Sequence, residues 1–145
     1  MSKTFADLIA KVNECGTKKV AVAVAQDSAV LEAVKVAKDR RIADAILVGN
    51  ESEIRSIASS LNIDLSGFEI INVEDVAEAA HTAVKLVHAG KADMYMKGLI
   101  DTKGFLKSVL DKEVGLRTGK PLSHVCVFDV EGIDHLLFLT DVAFI

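Results

Sequence analysis

From Lys19 to Ala25 the sequence reads KVAVAVA, a β-branched run that stays apolar instead of alternating with polar residues. A strand with one wet face would alternate; a strand apolar on both faces is covered on both, as in a parallel sheet flanked by helices. Flanking segments agree. Phe5, Leu8, Ile9 and Val12 recur at helical spacing after Ser2, and Gly16 stands where a C-terminal cap glycine would end a first helix. After the run, Asp27-Ser28 offers an N-cap to a second helix carrying Val30, Leu31, Val34 and Ala37, which dissolves at Lys38-Asp39-Arg40-Arg41. Ala45 to Val48 predicts a second strand, Gly49-Asn50 a turn, and Glu51 to Leu61 a third helix.

The same unit recurs. Phe68 to Val73 predicts a third strand, Glu74 to Ala89 a fourth helix closed by Gly90, Asp93 to Met96 a fourth strand, and Lys103 to Leu110 a short fifth helix. Asp111 to Pro121, with its charges, two glycines and the only proline, predicts an exposed loop. Val125 to Phe128 and His135 to Leu139 then predict a hairpin turning at Glu131-Gly132. The expected fold is an α/β domain: a mostly parallel open sheet, helices on both faces, and a C-terminal hairpin. At 145 residues the chain suffices for one such domain. Leu136 to Ile145 is almost wholly apolar and brings no covering helix, so an unfinished edge, a second half elsewhere and self-association are expected.

Charge and cysteine usage narrow the function classes. With 17 basic against 21 acidic residues the net charge is -4, which gives no positive field to recruit nucleic acid. The opening residues carry Asp7 and no long apolar core, so neither a signal peptide nor a membrane span is expected there, and a cytoplasmic address follows. Cys15 and Cys126 are too few for a disulfide scaffold, and both lie beside apolar segments where buried free thiols are common.

Open parallel sheets bind ligands where loops leave the C-terminal ends of strands. The first such loop, Ala25-Gln26-Asp27-Ser28, lacks the glycines of a dinucleotide site, and Gly115 to Lys120 has three residues between its glycines where a P-loop has four. The loop after the fourth strand is richer. Lys97 can neutralise charge, Gly98 can let backbone amides approach an oxyanion, and Thr102 can donate to a phosphoryl or carboxylate oxygen beside a helix N-terminus. Equally, Asp101 or Thr102 can be the N-cap and Lys97 a solvated strand end. Arg117 could present a bidentate guanidinium to phosphate, or lie on a solvated loop with Lys112 and Lys120. Ser123 and His124, adjacent on an extended chain, point to opposite faces and form no nucleophile–base pair, although Ser123 can line a cleft. His81, Lys85 and His88 share one helix face and are expected to be solvated; no spacing of His124 or His135 names a metal.

Val20 to Ile54 and Lys91 to Val130 together resemble the N-terminal half of the phosphate acetyl/butyryltransferase family, most specifically in Asp27, Ala33 to Gly49, Ala92 to Lys107 and Leu116 to Phe128. The resemblance covers essentially the whole chain and is nearer the butyryl branch. It implies a two-domain α/β protein, similar in fold to isocitrate and isopropylmalate dehydrogenases, whose interdomain cleft reversibly transfers a short acyl group from acyl-CoA to inorganic phosphate without metal or organic cofactor. Lys97, Gly98, Thr102, Ser123 and His124 match positions of that cleft. Acetyl-specific members carry Ser where Lys97 stands and an Arg near Lys107 or Ser108; the family's Ser-Arg and Asp motif lies beyond this chain. On chemical grounds Lys107 joins Lys97 and Thr102 as a candidate phosphate contact, while Arg117 and Lys120 suit the phosphates of CoA. A stand-alone anion- or partner-binding module, and an inactive fragment, are the competing readings.

Overall fold

The computed structural model describes residues 2–140. They form two compact units, one of residues 17–117 and one joining the N-terminal 16 residues to those from 118 onward.

The larger unit is a four-stranded parallel sheet with spatial order β3-β2-β1-β4, where β1 is Lys18–Ala23, β2 Ala43–Gly49, β3 Glu69–Asn72 and β4 Met94–Lys97. Residues Ala21 to Ala25 are all buried, as the run apolar on both faces requires. One sheet face supports a core of Val22, Ala25, Leu31, Val34, Leu47, Ile54 and Ala58 beneath α2 (Ser28–Asp39) and α3 (Glu51–Ser60). Ala21, Ala23, Ile46 and Val48 pack on the other face against Ala79, Ala80 and Ala83 of α4 (Val76–His88). The expected α/β architecture is present. Three helices take an aspartate N-cap at the strand exits: Asp27 accepts from Val30 N–H, Asp75 from Glu78 N–H, and Asp101 from Gly104 N–H at the start of α5 (Thr102–Val109).

Several boundaries differ from expectation. β1 stops at Ala23, short of Ala25, because Val24 takes a left-handed backbone (φ +62°). β2 begins two residues earlier than predicted, where Lys18 and Lys19 of β1 supply partners to Ala43 and Asp44. The expected exposed loop from Asp111 is half built into the fold: Gly115 is buried, its N–H donates to the Asp111 carbonyl, and Leu116 N–H donates to the Val109 carbonyl at 2.8 Å. His88 is exposed, as expected, and also places Nδ1 3.0 Å from the Gly115 carbonyl.

In the second unit α1 (Phe5–Glu14) starts from a Thr4–Asp7 capping box, later than Ser2. β5 (Val125–Phe128) and β6 (Leu137–Thr140) pair antiparallel, the latter two residues beyond the predicted start at His135. The turn falls at Glu131-Gly132, with Ile133 N–H donating to the Val130 carbonyl and Gly132 at φ +87°. Ser123 and His124 precede β5 instead of beginning it. Cys15 is exposed, contrary to expectation, and both cysteines are free. Leu136 is buried, but Phe138 and Leu139 are 62% and 51% exposed; the remainder of the apolar end, 141–145, lies outside the described residues.

Candidate functional site

Four loops leave the C-terminal edge of the sheet side by side, and hydrogen bonds join them. Ala25 N–H donates to the Val48 carbonyl and Asn50 N–H to the Gln26 side chain, tying the β1 exit to the β2 exit. Val73 N–H donates to the Gly49 carbonyl, which brings in β3. On the other side Gly98 N–H reaches the Ala23 carbonyl at 2.9 Å and Leu99 N–H the Val24 carbonyl at 2.7 Å. The β4 exit is thus fixed to the central strand. Gly98 is needed for this approach, since a Cβ there would stand 2.2 Å from the Val24 carbonyl oxygen.

On this edge Lys97 ends β4 with an exposed side chain, and no carboxylate among the described residues pairs with it. Thr102 is the first residue of α5 and is exposed; Asp101, not Thr102, is the N-cap. The Thr102 hydroxyl is therefore left to another partner. A cation, a hydroxyl and a helix N-terminus follow one another within six residues of chain, a set suited to an oxyanion.

Lys107 faces elsewhere. It lines a groove of about 460 Å³ between α4 and α5, with Val76, Ala80 and Ile100 as apolar floor and Asp75, Asp101 and Asp111 at the rim. Three carboxylates against Lys107 and His81 make this groove a poor anion trap. Backbone N–H groups of Val114 and Glu113, with the His81 charge adding less, hold the Asp111 carboxyl below its usual range. The groove was not legible as a site in the sequence; only the packing of α4 on α5, pinned by the Tyr95 hydroxyl to the Ala80 carbonyl and Ser108 Oγ, creates it. Burial pushes the Tyr95 phenol up.

Arg117 is exposed at the end of the turn that closes on His88. Ser123 is exposed in the other unit, and the His124 imidazole there lies 3.6 Å from Cys126 Sγ. Among the described residues no group of three or more His, Cys, Asp or Glu is placed to hold a metal, and no helix is long and apolar enough to cross a membrane.

Open parallel sheets of this kind bind ligands at the C-terminal ends of their strands, where the Lys97–Thr102 loop lies. The chain belongs to the Phosphate acetyl/butaryl transferase family, which it matches over residues 4–79 and 73–145. It is 61% identical to the phosphate butyryltransferase of Clostridium beijerinckii over 99% of its own length and 48% of the relative's. A probable phosphate butyryltransferase of Bacillus subtilis is 39% identical over 94% of this chain and 45% of that protein. Among solved structures, a branched-chain phosphotransacylase from Enterococcus faecalis superposes with a TM-score of 0.70 at 29% identity, covering 88% of this chain and 44% of that one. The chain thus spans about half the length of the curated relatives it matches.

Proposed function

We propose that the chain is the N-terminal part of a two-domain phosphate acyltransferase that moves a short acyl group reversibly between CoA and inorganic phosphate, in the cytoplasm. The observation that carries this reading is the 61% identity to a phosphate butyryltransferase along essentially the whole chain. Lys97 and Thr102 supply the phosphate-binding wall, with Gly98 allowing the backbone to approach, and Arg117 serves as a further contact to phosphate or CoA. The reaction asks that phosphate be desolvated, partly neutralised and held against the thioester carbonyl carbon. Phosphate oxygen forms the new bond to that carbon, the carbon–sulfur bond breaks, and the thiolate takes up a proton to leave as CoA. Lys97 answers the first demand. Two free thiols fit a reducing compartment.

One wall of a cleft cannot exclude water or align two substrates, so the chain alone is expected to be nearly inactive and to gain activity when fused to the second half of the Clostridium beijerinckii relative. Phosphate-dependent release of CoA from butyryl-CoA measures both. A fusion that folds yet turns over no faster than the chain alone would overturn the reading.

A further inference from the structure

A buried valine in the left-handed region is unusual, because its branched Cβ crowds the backbone there. Val24 takes φ +62° at 1% exposure. Its neighbours dictate this. Ala25 N–H is held by the Val48 carbonyl on one side, while the Val24 carbonyl receives Leu99 N–H at 2.7 Å on the other. The β4 exit then folds back on itself, with Ile100 N–H donating to the Gly98 carbonyl at 2.9 Å across Leu99. That is a tight three-residue turn of the kind common at strand ends.

We propose that Val24 is a positioning residue for the Lys97–Thr102 loop: its left-handed backbone aims the Val24 carbonyl at Leu99 N–H, and with Gly98 seated on the Ala23 carbonyl this locks the peptide that presents Lys97 to an anion. The proposal rests on the phosphate reading of the loop. Two constraints make the lock specific. A side chain at position 98 would meet the carbonyl oxygens of Val24 and Ala23 at 2.2 and 2.5 Å, and these are backbone atoms that cannot swing aside. Leu99 supplies the second: its N–H meets the carbonyl of the buried Val24 at 2.7 Å, while the residue itself is 55% exposed.

The test uses this chain and inorganic phosphate, followed through backbone amide shifts of Lys97 to Thr102, with hydrogen exchange reporting the Leu99 amide. In the wild type that amide is expected to exchange at least a hundredfold slower than an open loop, and phosphate to shift the loop amides. Replacing the Leu99 backbone amide by an ester removes the donor without adding an atom against the Val24 carbonyl; it is expected to keep the fold and weaken phosphate binding about tenfold. Gly98→Ala is expected to weaken it further. Leu99 exchanging freely in the wild type, or a folded ester variant with unchanged phosphate affinity, overturns the proposal. A protected Leu99 with no phosphate-dependent shift supports the lock and overturns the phosphate reading instead.

Discussion

The proposed phosphate contact rests on Lys97, which ends β4 exposed and, among the described residues, without a paired carboxylate, shortly before a helix N-terminus whose cap is already supplied by Asp101. In the fusion with a relative's second half, Lys97→Ala is expected to lower phosphate-dependent efficiency roughly ten- to a hundredfold, the loss of one charge-assisted hydrogen bond at about 1.5–3 kcal/mol. Butyryl-CoA affinity should change less, and steady-state kinetics in phosphate and in butyryl-CoA separate the two. Asp111 carries a different kind of prediction. Its folded carboxyl lies below the unfolded value, so the charge contributes stability at neutral pH that is lost as pH falls through the folded value, below about 4. Asp111→Asn keeps an acceptor for Val114 and Glu113 N–H but not the charge. Urea unfolding should show a wild-type advantage at pH 7 that shrinks toward pH 3.

At the scale of elements, the turn after α5 offers the sharpest test. Gly115 is buried, and a Cβ on it would meet the Asp111 and Val109 carbonyl oxygens at 2.4 and 2.5 Å. Gly115→Ala is expected to cost roughly 1–3 kcal/mol by overpacking and to release His88 from the Gly115 carbonyl, visible in denaturation curves and in the His88 ring nitrogen shifts. Nothing local in the sequence announced this turn, since charges and glycines at 111–121 read as solvated until α4 and α5 are packed. Other elements were legible because their signals are local. The apolar run of β1 required burial on both faces and received it, and Asp27 capped α2 as its position implied. What stops β1 is not local: Val24 propagates the strand pattern, and only the Val48 and Leu99 hydrogen bonds turn it left-handed. The loop holding Lys97, Gly98 and Thr102 was legible as a glycine-containing strand exit leading into a helix, whereas the choice of Asp101 over Thr102 as cap was not. Both residue types cap well, and the register of α5 decides.

For the whole molecule, the hairpin governs behaviour in solution. Val125, Phe138 and Leu139 are each more than half exposed, and among the described residues β5 and β6 pair only with each other in a two-stranded sheet whose outer edges are unpaired. The isolated chain is expected to self-associate at micromolar concentration. Light scattering that shows one monomeric species would count against this, and the fusion with a second half should reduce the association if that half covers the hairpin.

The position of β1 at the centre of the sheet also bears on how the chain acquires its structure. β1 meets β2 after a single helix, but its other edge waits for β4, and the Asp93 carboxylate that clamps Lys19 N–H lies 74 residues further along. Closing so long a loop costs entropy before any contact compensates, so β4 should dock late. Until it does, one side of β1, an inner strand buried from Ala21 to Ala23 in the finished fold, stands open. During synthesis on the ribosome, that interval, more than the finished surface, is when another chain or a chaperone has access to β1.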